Sequence, residues 1–259
     1  MTPPVDVVGR LAALLRAVAS SEPDGLRTSE AAQAAGLARP TAHRLLSSMS
    51  GEGFVDRSAT GLWRVGPELF LMGVGAAPRY DTRNLAQPIL RRLAVTTGES
   101  ASFSIRRGDE TVCLLHEEGT FPLRSHVLRE GVRFPLGVAS AGIAILAFMR
   151  AAETRRYLEQ AELAAGWGDQ YAPEQLEQRL ARTRESGYSV NPGLVIPGSW
   201  GMAAAVFDKH ENPLGAVSLT GIEARFGPER REPLGTQLLQ AALDLSVQVQ
   251  RSLMPSAAG

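Results

Sequence analysis

The stretch that decides the fold runs from residue 28 to residue 57 and reads TSEAAQAAGLARPTAHRLLSSMSGEGFVDR. It holds two helical patterns separated by a short turn. Thr28 is suited to cap the first helix, and Gly36 is suited to end it in a left-handed conformation. Pro40 is suited to the first position of the second helix, because its fixed φ is helical and its missing N–H is not needed there. The pattern predicts a helix-turn-helix.

The second helix of this pair has one apolar and one polar face. Apolar residues recur at helical spacing and predict a buried face, namely Ala42, Leu45, Leu46 and Met49. The opposite face carries Pro40, Arg44, Ser47 and Ser48, with Thr41 on its flank. Such a helix enters the DNA major groove N-terminus first. Arginine at this position can donate two hydrogen bonds to guanine, which contributes ~1–3 kcal/mol of discrimination.

Two short β-like runs follow, at 54–57 and 62–65, and the turn residues between them predict a hairpin. Arg57 and Arg64 flank that turn, where they can reach the DNA backbone or the minor groove. A helix predicted over 5–19 precedes the pair, so the order from Thr28 to Arg64 is that of a winged helix-turn-helix. The alternative is a three-helix unit with solvated arginines and no DNA. The predicted DNA contacts are Thr28, Arg39, Pro40, Thr41, His43, Arg44, Ser47, Ser48, Arg57 and Arg64.

Length and composition set the wider frame. The 259 residues favour two domains. Net charge is +0, which by itself does not favour nucleic acid. The single cysteine, Cys113, excludes a disulfide within the chain and fits a reducing cytoplasm. We expect no signal peptide, no membrane span, and, because the histidines are scattered, no metal and no cofactor.

The rest of the chain mixes helices and strands, so the predicted class is α+β. Helices are predicted at 68–77, 85–97, 138–150, 153–164, 173–186 and 228–253, and strands at 101–106, 111–116, 202–207 and 214–219. The predicted organisation is a winged helix-turn-helix domain at 1–75, a linker at 76–83, a second domain at 84–253 and a tail at 254–259.

At this point the sequence resembles a known family. The segment GLRTSEAAQAAGLARPTAHRLLSSMSGEGFVDR, followed by WRVGPELFLMG, is similar to the DNA-binding domain of IclR-type bacterial transcriptional regulators. The motifs are Gly36-Leu37, Thr41 to Leu46, and Gly53-Phe54-Val55. Pro40 departs from the small polar residue that is common there, which removes a phosphate contact. The resemblance covers 5–253.

The resemblance implies that the second domain is a GAF-like α/β effector-binding domain, with a central antiparallel sheet flanked by helices. In the family it binds a small metabolite, often an organic or aromatic acid, and the response is a change in DNA binding. The implied effector contacts are Val127, Leu136, Ala139, Ser140, Asn191, Gly201, Met202, Ser218 and Thr220. Strand alternation puts Ser218 and Thr220 on one sheet face. Ala139 and Ser140 fall near a helix N-terminus, which favours an anion.

The departures from the family pattern concern the polarity of this pocket. Gly137 and Ile143 stand where His and Lys are frequent, and Gly201, beside Trp200, stands where some members have a polar or cysteine contact. We therefore expect a less polar pocket, suited to an aromatic or hydrophobic acid. The structural alternative is that Met202, Ser218 and Thr220 only pack the sheet.

These observations predict a ligand-responsive, DNA-binding transcriptional regulator, a repressor rather than an enzyme. Its expected partners are a pseudo-palindromic double-stranded DNA operator, a small-molecule effector and itself, as a homodimer or tetramer. One alternative is a small-molecule-metabolising enzyme with an N-terminal dimerisation module. No convergent nucleophile, base and orienting group supports it. A second alternative keeps DNA binding but makes the second domain a dimerisation module without a ligand.

Overall fold

The computed structural model describes residues 6–76 and 82–252, and the chain separates into two units, Met1–Tyr80 and Asp81–Gly259. Each unit has its own hydrophobic core. Within the described ranges, no helix combines the length and the apolar character that crossing a bilayer requires.

The first unit is a three-helix core followed by a hairpin and a fourth helix. Its elements are α1 (Val7–Ala19), α2 (Thr28–Ala34), α3 (Arg39–Gly51), β1 (Val55–Arg57), β2 (Trp63–Val65) and α4 (Pro67–Ala76). Strands β1 and β2 are antiparallel. The predicted winged helix-turn-helix is confirmed.

The ends of α2 and α3 differ from the prediction in detail. Thr28 does not cap α2 but is its first residue. The cap is Arg27, whose backbone N–H donates to a carboxylate oxygen of Glu30 at 2.7 Å. Gly36 has φ 63°, as expected of a left-handed helix terminator. Helix α3 begins at Arg39, one residue earlier than expected, so Pro40 occupies its second position, which also needs no backbone donor.

Trp63 links the hairpin to the helices of the first unit. Its side chain is 1% exposed and belongs to the core formed by α1, α2 and α3. Its indole N–H donates to the Thr28 hydroxyl at 2.9 Å. Its backbone N–H donates to the backbone oxygen of Leu26, and its backbone oxygen accepts from the backbone N–H of Leu26. The buried face of α3 is as predicted, except that Leu45 is only half-buried.

The second unit is a six-stranded antiparallel sheet with helices on both faces, which confirms the α+β class. Strand order is β5-β4-β3-β8-β7-β6. The strands are β3 (Ser100–Arg107), β4 (Glu110–Glu117), β5 (Arg133–Pro135), β6 (Tyr188–Pro192), β7 (Ser199–Phe207) and β8 (Pro213–Ile222). The helices are α5 (Thr82–Thr97), α6 (Ser140–Phe148), α7 (Ala151–Gln160), α8 (Leu163–Trp167), α9 (Pro173–Ser186) and α10 (Pro228–Ser252).

Alternation along the strands divides the core of this unit into two layers. One face of the sheet packs against α5 and α10, and Met202 and Leu219 belong to that layer. The other face packs against α6, and Ala203 and Ala216 belong to that layer. A residue on β7 therefore faces one layer or the other according to its position in the alternation.

Several predicted boundaries are wrong because tertiary contacts override the local pattern. The helix expected over 138–150 is shorter at both ends, since Ala139 and Met149 are both extended. The helix expected over 153–164 is two helices, α7 and α8. Strand β5 was not predicted, because its three residues are held by pairing with β4. Thr82 and Arg83, placed in the linker, begin α5. Residues 77–81 and 253–259, which include most of the linker and the whole tail, lie outside the described residues.

A buried carboxylate joins the start of the sheet to the start of α10. Glu99 has a side chain 2% exposed, and one of its oxygens accepts from Arg225 Nε at 2.7 Å and from Arg230 Nη1 at 3.0 Å. Both arginines also donate to the backbone oxygen of Thr97. Because the carboxylate is buried and paired, removing its partners leaves an uncompensated charge.

We expect the double variant Arg225→Met, Arg230→Met to lose ~3–5 kcal/mol of unfolding free energy, which denaturant unfolding measures. The matched control is Arg92→Met. Arg92 pairs with Asp244, but their side chains are 64% and 30% exposed, so the expected loss is ~0–1 kcal/mol. Equal losses in the two variants would show that burial of Glu99 does not set the energy.

Candidate functional site

The outward face of α3 presents most of the predicted DNA contacts. Arg39, Pro40, His43, Arg44, Ser47 and Ser48 are exposed, and Thr41 is half-buried. Neither Arg39 nor Arg44 forms an ion pair with any residue that the structure describes. The Ser48 hydroxyl donates to the backbone oxygen of Arg44. The face is therefore polar, and both of its guanidinium groups keep their donors for a ligand.

The two arginines of the hairpin do not form one surface. Asp56 pairs with Arg64 and Arg57 with Trp63, and residues directly opposite each other share a sheet face. Arg57 thus lies on the Trp63 side, with its guanidinium carbon 5.3 Å from the centre of that ring. Arg64 lies on the other side and is exposed. A DNA backbone against one face of the wing meets only one of them.

Thr28 is a correction to the predicted DNA contacts. Its side chain is buried, and its hydroxyl accepts the hydrogen bond from Trp63. The signal that suggested it, a Thr before a helical run, arises here from packing against the wing. We therefore remove Thr28 from the candidate DNA surface.

Six of the nine predicted effector contacts line one cavity in the second unit. They are Val127, Ala139, Ser140, Asn191, Gly201 and Thr220. The other lining residues are Leu128, Val195, Ser199 and Trp200. We call this space the effector cavity. It lies on the α6 side of the sheet, where the first turn of α6 meets β7 and β8.

Two features of the effector cavity favour an acceptor group on a ligand. Helix α6 begins at Ser140, and its cap residue Ala139 provides no side-chain hydrogen bond to the first turn. The hydroxyl of Thr220, a residue that is 5% exposed, has no hydrogen-bond partner among the described residues. Gly201 allows β7 to lie close to the first turn of α6, because a Cβ at this position would lie 2.9 Å from the Ser140 hydroxyl oxygen.

Three predicted effector contacts lie elsewhere. Leu136 is buried in the α6 layer, and its backbone oxygen accepts a hydrogen bond from the Tyr157 hydroxyl. Met202 faces the opposite layer, with α5 and α10. Ser218 shares a face with Thr220, as predicted, but it is fully buried and does not line the cavity. Its hydroxyl also has no partner among the described residues.

Asn191 lines the cavity, but its amide is already used in the fold. Its Nδ2 donates to the backbone oxygen of Val138 at 2.8 Å, and its Oδ1 accepts from the backbone N–H of Leu194 at 2.9 Å. The residue therefore holds the loop after β6 against the segment before α6. Its role in the cavity is to position the wall.

The effector cavity is small and carries no charged side chain among its lining residues. Neither Gly137 nor Ile143 reaches it. Gly137 has φ 86°, and Ile143 is fully buried in the α6 layer. The cavity measures about 20 Å³, room for about one water molecule. Val127 and Leu128 come from the irregular segment 118–132, which Ser125 ties to Ser199 through their hydroxyls.

Leu128, Val195 and Ser199 were not singled out by sequence reasoning. Leu128 and Val195 lie in irregular segments without periodicity, so no pattern marks them. Ser199 precedes Gly201 by two positions on β7, and alternation from Gly201 was the available signal.

No cluster of three His, Cys, Asp or Glu suited to a metal ion occurs within 6–76 and 82–252. Burial raises the pKa of the Cys113 thiol to about 11.

Two family models match the chain. The IclR helix-turn-helix domain matches residues 7–59, and the C-terminal domain of the bacterial transcriptional regulator IclR matches residues 74–247. The first match spans α1 to the hairpin, and the second spans most of the second unit, including every residue that lines the effector cavity.

Curated proteins and solved structures agree with these models. The chain is 31% identical to the glycerol operon regulatory protein of Streptomyces griseus, covering 94% of each chain. It is 29% identical to the HTH-type transcriptional regulator KipR of Bacillus subtilis, covering 85% of this chain and 88% of that protein. A crystal structure of an IclR homologue from Microbacterium hydrocarbonoxydans, complexed with 4-hydroxybenzoate, superposes with a TM-score of 0.76 at 21% identity, covering 94% of this chain and 99% of that one.

Proposed function

The chain belongs to the IclR family of bacterial transcriptional regulators, and from this premise we propose that it is a repressor controlled by a small organic acid. It is a DNA-binding regulator and not an enzyme, so the alternative of an enzyme of small-molecule metabolism is set aside. The proposal concerns how it reads DNA, how it assembles and what it senses.

DNA reading is assigned to α3 of two copies. The unpaired Arg44 on the exposed face of α3 suits guanine in the major groove. Two copies related by a two-fold axis would read half-sites one helical turn apart, which makes the operator pseudo-palindromic. Relatives named transcriptional repressor IclR, from Escherichia coli, and acetate operon repressor, from Salmonella typhimurium, support repression as the outcome.

Self-association is assigned to the apolar surface of the first unit. Helix α4 has no buried residue although much of it is apolar. Phe70 is 70% exposed, and Leu71, Met72 and Val74 are each more than half exposed. Val8 on α1 is 77% exposed. A surface with this many exposed apolar side chains is typical of a protein–protein interface. We propose that it is covered by a second copy of the chain.

The effector is assigned to the cavity at the start of α6. The observation that carries this is the convergence of the uncapped first turn of α6 and the unpartnered Thr220 hydroxyl on one space. An acid group suits the N–H groups and the hydroxyls. The remaining walls are Val127, Leu128, Val195 and Trp200, which suit an aromatic or hydrophobic body. The Microbacterium homologue was crystallised with an acid of this class.

Binding requires the cavity to open, because its present volume admits no more than water. Segment 118–132 is the part suited to move, since a long irregular loop beside a site commonly acts as a cover. The Ser125–Ser199 hydrogen bond is the tie that opening breaks.

A thermal-shift panel of aromatic and aliphatic acids tests the effector assignment. A ligand present at 100 times its dissociation constant adds ~2.7 kcal/mol of stability. The expected hits are aromatic monocarboxylates such as 4-hydroxybenzoate, with the matching primary amides inactive. If no acid stabilises the chain, the second unit is a dimerisation module without a ligand. If amides match acids, the anion assignment at α6 is wrong.

The substitution Thr220→Val should separate stability from binding. It replaces a buried hydroxyl that has no partner with a methyl group of similar size, so the unliganded protein should gain ~1 kcal/mol or stay unchanged. The same change should weaken acid binding about tenfold, because the ligand loses a donor. Thermal unfolding and calorimetric titration measure the two effects. Ser218→Ala is the control, since Ser218 does not line the cavity and should affect stability alone.

A further inference from the structure

A second cavity, of about 430 Å³, lies in the second unit between α9, strand β6 and the start of α10. We call it the arginine cavity, after Arg179, Arg182 and Arg231 in its wall. It shares only Trp200 with the effector cavity. Unlike that small space, it has the size of ordinary small-molecule sites, about 300–1,000 Å³.

The local sequence builds this cavity by simple periodicity. On α9, Arg179, Arg182 and Ser186 follow one another at spacings of three and four residues, so they share a helix face. On β6, Tyr188 and Val190 alternate onto the sheet face that packs against α10, opposite to the face of the effector cavity. Strand β6 is the end strand of the sheet, which leaves the side beneath α9 open.

The charges in this cavity are all of one sign. No Asp or Glu is among its lining residues, and none of the three arginines forms an ion pair with a described residue. Arg179 Nη1 is buried and has no hydrogen-bond acceptor among the described residues. Burial also lowers the pKa of this guanidinium. A buried cationic N–H without an acceptor is costly, and an anion is the group that satisfies it.

Aromatic rings hold two of the arginines in place. The guanidinium carbon of Arg231 lies 4.7 Å from the centre of the Trp200 ring, and its Nε donates to the backbone oxygen of Phe226. The guanidinium carbon of Arg179 lies 5.2 Å from the centre of the Tyr171 ring. Stacked guanidinium groups keep a fixed fork of donors for carboxylate or phosphate. Trp200 and Tyr188 also supply flat walls for a planar ligand.

We propose that the arginine cavity is a second small-molecule site, which binds a planar ligand carrying a carboxylate or phosphate group. Its occupant differs from that of the effector cavity, because three guanidinium groups favour a higher negative charge than a helix N-terminus and a hydroxyl do. The inference does not depend on the effector assigned to the other cavity.

Calorimetric titration of the full chain in about 0.15 M chloride tests the proposal. Phenyl phosphate and benzene-1,3-dicarboxylate represent the two sources of negative charge, and benzyl alcohol is the neutral control. We expect at least one of the two anions to saturate a site with one molecule per chain. Arg179→Gln and Arg182→Gln should each weaken that binding about tenfold. Arg182 is exposed, so its variant keeps the assay valid if Arg179→Gln fails to fold.

Matched controls separate this site from general charge and from the effector cavity. Arg107→Gln removes an exposed arginine at the end of β3 and should leave binding unchanged. Thr220→Val alters the effector cavity and should leave unchanged the binding that Arg179→Gln and Arg182→Gln weaken. The proposal is overturned if neither anion saturates, if the α9 variants bind as the parent does, or if Arg107→Gln loses as much. A change of oligomeric mass in Arg182→Gln without anion binding in the parent would make this face an interface instead.

Discussion

Replacing Arg44 with alanine is expected to weaken operator-specific binding strongly while leaving the fold intact. Arg44 is exposed on α3, has no ion pair among the described residues, and lies opposite the buried Ala42 and Leu46. A bidentate arginine–guanine pair contributes ~1–3 kcal/mol. The proposed dimer would present two copies of Arg44, so the specific complex should lose ~2–6 kcal/mol, which is a weakening of roughly 30-fold or more.

The measurement is titration of the DNA upstream of the chain's own gene, beside a scrambled duplex, at fixed salt. Arg107→Ala removes the same charge from the second unit and should leave operator affinity unchanged. If Arg44→Ala weakened both duplexes equally, Arg44 would be a phosphate contact rather than a reader of bases. If operator affinity stayed unchanged, α3 would not be the recognition helix.

Replacing Trp63 with alanine is expected to destabilise the first unit selectively. The side chain is 1% exposed, and truncating a buried Trp costs ~3–5 kcal/mol. In a unit of 60–100 residues, each kcal/mol lowers the melting temperature by ~4–8 °C, so we expect a fall of roughly 12 °C or more. Scanning calorimetry should show this shift in one transition, while the transition of the second unit stays in place. Specific DNA binding should disappear with the first transition.

The hydrogen bond from Trp63 to Thr28 can be measured apart from the packing. Trp63→Phe keeps most of the apolar volume but leaves the Thr28 hydroxyl buried without its donor, at a cost of ~1–3 kcal/mol. Adding Thr28→Val removes that hydroxyl and should recover part of the loss, so the two changes should be non-additive. Additive losses would mean that the bond contributes nothing beyond the ring. An unshifted first transition in Trp63→Ala would contradict the role of Trp63 as the link.

Helices with clear start and stop residues could be predicted almost to the residue. Helix α9 was expected over 173–186 and is observed as Pro173–Ser186, since proline begins it and Gly187, with φ 82°, ends it. Strand β5 could not be predicted, because it exists only through its pairing with β4. The early end of α6 was also missed, because Met149 is extended within an apolar run. The break between α7 and α8, inside the single helix expected over 153–164, was missed as well.

The effector cavity was predictable in part, for a similar reason. The ordered resemblance located Ser140, Gly201 and Thr220, which meet across the sheet and α6. It did not resolve single-residue alternation, so Met202 was placed in the cavity although it faces the opposite layer. It also did not resolve how amides are used, since Asn191 is occupied by backbone groups. The arginine cavity had no sequence signal, because it combines one face of α9 with an end strand.

Trp63 has a consequence for how a signal can be transmitted. Trp63 joins the hairpin, α2 and the core behind α3, so we expect the first unit to respond to a signal as one body. In the proposed dimer, an effector would then change the distance between the two copies of α3 and their relative rotation about the DNA axis, and would leave each first unit unchanged. Operators lengthened by a single base pair turn one half-site by about a tenth of a revolution. The ligand would therefore change the order of affinity among operators of different spacing, while the preferred base at each contact would stay the same.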